Sequence, residues 1–243
     1  MTDNEVKLAV PLPVPAQGAF VDDPAGTSFG LYAAVKPVLE AVVALVLLAL
    51  LSPVILLACL LIKATSRGPA FYTQKRLGLN GKPFTIIKLR TMTHNCEAAT
   101  GAVWCTARDP RITRIGALLR ATHIDEFPQL INILLGQMSL IGPRPERPEI
   151  VARLENDVAG YRDRLVVRPG ITGLAQVQLP PDVDLDGVRK KLLCDRYYID
   201  HFSAWLDVRI ALATGLFLFA VPLAWSRRLL RIPEPLKQLP TAC

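Results

Sequence analysis

Between Ala41 and Ile62 the chain carries no charged residue, and no other feature limits its fold so severely. As a straight helix this stretch would run roughly 33 Å, enough to cross the hydrocarbon core of a bilayer. It is interrupted at its middle by Ser52-Pro53. Proline removes one helix hydrogen bond and crowds the preceding turn, while a serine hydroxyl can satisfy a carbonyl so freed. A helix bent there has two arms of about 15 to 18 Å, each suited to dipping into one leaflet and returning. Lys36 lies before the run, and Lys63 and Arg67 follow it. Lysine and arginine favour the cytoplasmic side, which places both ends together. Residues 35–66 are therefore read as a re-entrant membrane helix broken at Ser52 and Pro53, in preference to a single span.

The rest of the chain is organised around that segment. Residues 1–34 are rich in proline, glycine, alanine and aspartate without an apolar period, and are expected to be a disordered tail. After the membrane segment, Ala70 to Gln74 and Pro83 to Met92 read as strands joined through Asn80-Gly81, a strong hairpin signal. Ile112, Ile115, Leu118 and Leu119 recur at helical spacing among Arg108, Arg111, Arg114 and Arg120. That pattern makes a basic amphipathic helix, seated either on anionic headgroups or on the core. Further helices are expected around Leu130 to Leu135, from Val188 to Ile199 and from Trp205 to Ala220. The last continues into an apolar stretch ending at Arg227-Arg228, either interfacial or a second span.

Charge narrows the partners. A formal net charge of +7 suits an anionic membrane surface or a phosphorylated substrate. It would also suit nucleic acid, but aromatic residues make up only 7% and none alternates with cations as base-stacking platforms require, so nucleic-acid binding is not expected. The five cysteines are scattered without the paired spacing of a zinc site or a disulfide framework.

Asp125-Glu126-Phe127-Pro128 stands at the start of the middle helix, since proline is tolerated in a first helical turn. Acidic residues there are ordinarily caps. Their setting suggests chemistry, because cations able to meet a phosphate lie on several other segments. Period two puts Lys88 and Arg90 on one face of their strand. Gly142-Pro143-Arg144-Pro145 is a stiff loop able to hold Arg144 for bidentate phosphate contact, and Arg168-Pro169-Gly170 is similar. Among phosphates, one carboxylate can hold a divalent ion and another can attack phosphorus. No Walker loop and no GxGxxG is present, so the phosphate cradles of kinases and NTPases are missing.

These segments resemble the bacterial sugar transferases, the monotopic polyprenyl-phosphate phosphoglycosyl transferases that initiate exopolysaccharide and glycoconjugate synthesis. The resemblance rests on Ser52-Pro53, Tyr72 to Gly78, Lys88 to Met92, Asp125 to Asn132, Gly136 to Pro145, Arg168 to Gly173 and Asp195 to Ile199, in that order. It departs from the family just before the apolar run, where many relatives carry Arg or Lys followed by Asp and this chain has Lys36 and Glu40. The resemblance implies an α+β architecture: the re-entrant helix, then a small cytosolic catalytic domain over residues 67–214 with a β-hairpin and amphipathic surface helices. An apolar, basic extension would occupy residues 215–243. It further implies that Asp125 attacks the β-phosphorus of a UDP-sugar, that Glu126 holds Mg2+, and that polyprenyl (undecaprenyl) phosphate accepts the sugar phosphate. Lys88, Arg90, Arg144 and Arg168 become the candidate phosphate contacts. The expected place is the inner (cytoplasmic) bacterial membrane with the catalytic unit on the cytoplasmic face; self-association is left open. The alternative is a non-catalytic basic protein of the membrane surface that recruits partners of envelope assembly.

Overall fold

A computed structural model describes residues 28–96, 109–180, 184–219 and 221–238. Its first element, α1 (Ser28–Thr65), contains the whole apolar run and both Pro37 and Pro53. The chain stays helical through Pro53. Ala49, four residues back, lacks an amide partner there, and Ser52 Oγ donates to its carbonyl at 2.8 Å, the repair expected of a serine beside a helical proline. The helix begins at Ser28 rather than at residue 35, so residues 28–34 of the expected tail are ordered helix, while residues 1–27 lie outside the described residues.

The hairpin forms as its turn chemistry requires. Strands β1 (Phe71–Leu77) and β2 (Pro83–Leu89) pair antiparallel with Phe71 opposite Leu89 and Leu77 opposite Pro83. Asn80 and Gly81 both take positive φ, 53° and 72°, at the bend. β2 stops at Leu89, three residues before the expected Met92, which makes only an isolated bridge to Ile112. The basic helix α2 (Arg114–Ala121) follows, capped by Thr113, whose side chain accepts from Gly116 N. A Cβ on Gly116 would lie 1.9 Å from Thr91 O, so the helix can pack this closely only with glycine there.

Beyond the middle helix α3 (Gln129–Leu134) come β3 (Ser139–Ile141), α4 (Pro148–Asp157), β4 (Gly170–Thr172) and α5 (Leu174–Gln178). Then α6 (Leu185–Asp200), α7 (Ala204–Leu218) and the short α8 (Leu223–Leu229) complete the unit. β3 and β4 form a parallel pair, Ser139 opposite Gly170 and Ile141 opposite Thr172. A Cβ on Gly170 would meet Gly142 N at 2.2 Å, so the proline-rich loops after β3 and before β4 touch backbone to backbone. The architecture is the mixed helix and sheet expected.

The core runs along α1. Ala44, Leu47 and Leu51 pack on Phe84 and Ile86 of β2 and on Leu130 and Ile133 of α3. Farther along, Ala58 and Ile62 meet Ala70, Leu89 and Leu119. A second cluster joins β3, α5, α6 and α7 through Ile141, Leu174, Tyr198 and Ile210, and takes in Ile232 beyond α8. Each large side chain so buried contributes about 1.5–3 kcal/mol. The described part of the C-terminal extension packs onto the core as far as Ile232, and the stretch expected as either interfacial or a second span is divided between α7, 15 residues long, and α8, seven residues long, each short for a bilayer span. Among the described residues α1 is the one helix long and apolar enough to cross a bilayer. Its outward face, including Val42 at 57%, Leu50 at 69% and Leu57 at 58% exposed, marks the chain as membrane-associated.

The start of α1 is pinned by a buried polar cluster. Lys36 Nζ pairs with Asp207 of α7 and donates to Tyr198 Oη and Ile141 O, both at 3.0 Å. Glu40 accepts from Ser139 Oγ at 2.7 and 2.8 Å and from Leu140 N at 3.1 Å. The lysine and glutamate that depart from the family pattern are thus fully partnered.

Candidate active site

The dyad is built differently from the expectation that Asp125 and Glu126 open α3. His123 takes a left-handed conformation, φ 56°, and ends the path from α2. Ile124–Glu126 then closes a separate 3-10 turn, with Glu126 N bonded to His123 O at 3.1 Å. Phe127 and Pro128 intervene before α3, so the carboxylates lie one turn upstream of the helix rather than within its first turn. Side-chain cations, not the helix terminus, meet the dyad.

The two neighbours have opposite surroundings. Glu126 Oε1 accepts from Lys88 Nζ at 2.7 Å and Arg144 Nη2 at 2.5 Å, and Oε2 accepts from Arg144 Nη1 at 3.3 Å. Burial alone would raise its pKa, but the Arg144 and Lys88 charges override burial and hold it well below the usual carboxylate range. Asp125, 8% exposed, has no hydrogen bond or ion pair among the described residues. Burial, then the adjacent Glu126 charge, pushes its pKa up against the opposing fields of Lys88, Arg120 and Arg144. One carboxylate is neutralised in place; the other keeps its lone pairs.

Each cation around Glu126 is itself positioned. Asn132, fully buried on α3, accepts from Ile87 N at 3.1 Å and donates to Thr85 O at 2.8 Å. It thereby fastens α3 to the strand that carries Lys88. The Arg144 loop is held by a buried network: Arg164 Nη2 donates to Arg144 O at 3.0 Å while its Nε donates to Asp195 at 2.9 Å. Glu146 takes a bond from Lys191 at 2.5 Å, and Arg76 donates to Pro145 O at 3.0 Å.

Of the four expected phosphate contacts, the structure brings Lys88 and Arg144 together at Glu126 and leaves two elsewhere. Arg90 lies past the end of β2, where strand alternation no longer sets its direction. Its guanidinium caps the C-terminal end of α1, donating to Arg67 O and, at 3.0 Å, to Ser66 O. A cation suits the negative end of a helix dipole. Arg168 sits beyond the far end of α3, with Nε donating to Gly136 O at 3.1 Å.

Sequence reasoning missed Arg120 as a site cation, having placed it on a surface helix; its Nε bonds Thr91 Oγ1 at 2.8 Å and its charge reaches Asp125. It also missed the network behind Arg144. One cue was available: Lys191 and Asp195 fall on the same helical stripe as Val188, Leu192 and Tyr198, an odd place for charges unless they are paired.

Among the described residues no group of three or more His, Cys, Asp or Glu forms a metal cage. A full cage is not needed for a magnesium ion, which usually takes one or two carboxylates and completes its shell with substrate phosphates and water. Among the described residues no hydrogen bond reaches the Asp125 carboxylate, and Glu126 Oε2 accepts one, from Arg144 Nη1.

This fold and site define a transferase-like membrane unit with an acidic dyad set among cations. The chain belongs to the bacterial sugar transferase family, whose model matches residues 31–220. A UDP-N-acetylgalactosamine-undecaprenyl-phosphate N-acetylgalactosaminephosphotransferase of Aeromonas hydrophila is 42% identical over 184 residues, 76% of this chain and 43% of that protein. A UDP-glucose:undecaprenyl-phosphate glucose-1-phosphate transferase of Caulobacter vibrioides is 44% identical over 181 residues, 74% of this chain and 67% of the relative. An exopolysaccharide production protein of Rhizobium leguminosarum is 41% identical over 172 residues, 69% and 86% of the two chains. The chain thus spans less than half of the Aeromonas relative and most of the Rhizobium one.

Proposed function

We propose that the protein transfers a sugar 1-phosphate from a UDP-sugar to polyprenyl phosphate in two displacements at Asp125. The observation that carries this reading is the contrast within the dyad: a buried, unpartnered, more basic Asp125 beside a Glu126 tied to Lys88 and Arg144. An unpartnered carboxylate of raised basicity suits a nucleophile, and fixed cations suit a diphosphate. An Asp125 oxygen attacks the β-phosphorus; the bond from that phosphorus to the bridging oxygen breaks, and UMP leaves with the electron pair. A polyprenyl phosphate oxygen then attacks the same phosphorus and releases Asp125. Lys88 and Arg144 meet the diphosphate oxygens, and Arg120 offsets charge beside Asp125. Mg2+, held through Glu126 Oε2, would neutralise phosphate oxygens when bound.

The topology in this reading is monotopic, with α1 re-entering on the cytoplasmic face of the inner membrane. It is supported by the polar contacts at both ends of α1, Lys36 with Asp207 and the Ser66 and Arg67 carbonyls with Arg90, which join one and the same unit. A helix with its two ends on opposite sides of a bilayer could not make both. Cysteines introduced at Gly30 and at the exposed Pro69 should react only with reagent on the cytoplasmic side; labelling from opposite sides would sink the topology.

The reaction is tested by screening UDP-sugars for UMP release with Mg2+ and undecaprenyl phosphate, with intact-mass detection of a phosphosugar adduct. Asp125→Asn should abolish both. Vesicle binding without UMP release from any UDP-sugar would favour the non-catalytic recruiting protein.

A further inference from the structure

The loop between β3 and α4 carries Arg144, and its backbone is held at four consecutive carbonyls. Pro143 O accepts from Gly170 N at 2.9 Å and Glu146 O from Leu77 N at 2.9 Å. Between them, Arg144 O accepts from Arg164 Nη2 and Pro145 O from Arg76 Nη1, both at 3.0 Å. The donors come from β4, from β1 twice, and from the 3-10 turn Tyr161–Val166. A surface loop outside regular structure ordinarily leaves much of its backbone to water. Here two arginine side chains take the place of that water, and the Arg144 side chain, 38% exposed, stays within reach of a ligand.

Behind the loop stands α6. Arg164 is buried, and its Nε and Nη2 reach the Asp195 carboxylate at 2.9 and 2.7 Å while Nη1 donates to Tyr161 Oη at 3.1 Å. Lys191, one helical turn before Asp195, donates to Glu146 Oε1 at 2.5 Å. The helix thus grips the loop on both sides of Pro145, through Arg164 at residue 144 and directly at residue 146. An ion pair buried this deeply is a weak source of stability, because apolar side chains of similar volume often serve as well or better. What Asp195 and Arg164 supply, and apolar residues could not, is a donor aimed at one carbonyl of the residue whose guanidinium meets Glu126.

We propose that Arg164 and Asp195 are positioning residues for the transfer: acting through the Arg144 carbonyl, they fix the angle at which the Arg144 guanidinium meets the diphosphate, and Lys191 steadies the same loop through Glu146. The proposal rests on the transferase reading, in which Arg144 meets the substrate. Neither Arg164 nor Asp195 touches the substrate itself; the link runs from Asp195 on α6 to Arg164, to Arg144 and so to the dyad. A guanidinium misplaced by about 1 Å loses roughly 10^2-fold in rate, so a pair this remote from Asp125 has a kinetic effect of that order.

The test is a double-mutant cycle on the full chain in micelles, reading UMP release per folded molecule, or single-turnover adduct formation where release is slow. Arg164→Lys keeps the charge, but an ammonium lacks the planar fork that holds Asp195 and the Arg144 carbonyl together. It should lower kcat about 10^2-fold, with KM for the UDP-sugar changed far less because Lys88 still meets the diphosphate. In an Arg144→Ala background the same change should cost less than about twofold, since no guanidinium is left to place. Losses that multiply in full would overturn the proposal and make the pair ordinary scaffold. If Arg164→Lys does not fold, Lys191→Gln takes its place, leaving the Arg164–Asp195 pair intact: a loss that vanishes beside Arg144→Ala supports the proposal, and an equal loss in both backgrounds overturns it. No UMP release by the wild type from any UDP-sugar would overturn the transferase reading and this inference with it. Normal turnover by the wild type and by the folded variants alike would overturn this inference alone.

Discussion

Two buried charge clusters face different directions in this molecule, and their difference separates scaffold from chemistry. Around Lys36, each charged side chain is partnered: the ammonium has Asp207, Tyr198 and a carbonyl, and Glu40 has Ser139 and backbone amides. Around Glu126 the cations Lys88 and Arg144 meet one carboxylate, and among the described residues Asp125 is left without a hydrogen bond or ion pair. Burying a carboxylate unpaired disfavours its charged form, so nothing in folding stability explains Asp125. In the proposed reading, a group kept at that disadvantage, next to an ion pair that could have included it, is where the substrate binds.

The contrast breaks most easily at Asp125. Asp125→Asn should cut UMP release about 10^4-fold or more, the scale seen when a nucleophile is removed, with the unfolding midpoint unchanged or raised. Next in size, Lys36→Met should destabilise the protein by about 3–5 kcal/mol, because it leaves Asp207 buried and uncompensated. Denaturant titration in micelles would read this, while UMP release per folded molecule holds. If Lys36→Met instead lost turnover at full stability, the division between scaffold and chemistry would be wrong.

Glu126→Gln sharpens the comparison through pH. Its folded pKa is depressed, so its contribution is present above its unfolded value of about 4.3 and is lost as pH falls toward the folded one. The stability gap between wild type and Glu126→Gln should therefore be widest near neutrality and close below about pH 4, as followed by unfolding at a series of pH values. The smallest effect is expected at Ser52→Ala, about 0.5–1.5 kcal/mol for one hydrogen bond to Ala49 O.

Much of the scaffold was legible because its signals are local. The apolar run, the Asn80-Gly81 turn and the stripes of α6 and α7 each announce themselves within a dozen residues. The Ser52 repair was readable too, since proline's missing amide lies at a fixed offset from the carbonyl it orphans. The parallel pairing of β3 with β4 was not, because each strand is three residues long and its partner lies far along the chain. The same limit explains Arg90: alternation predicts the face of a strand residue, but not where a strand stops or which distant carbonyls await beyond it. For the dyad, residue types were readable and partners were not. Residue chemistry alone presents Asp125 and Glu126 as equals; the family resemblance gave them different roles, and the arrival of Lys88 and Arg144 from two other segments supplies a physical difference between them.

The attachment of α1 at both ends also fixes a height. Tied at Lys36 and again at Ser66 and Arg67, with Ala44 and Ala58 packed between, the helix works as a ruler lying against the catalytic unit rather than as a tether. In the membrane reading, the distance from the lipid surface to Asp125 is set by helical rise and not by linker slack. In the proposed reaction, an acceptor whose phosphate floats at the headgroup level would then meet Asp125 at a matching depth. Inserting a single residue into α1 would turn everything after it by about 100°, so the gauge would lose its register long before the segment lost its hydrophobicity.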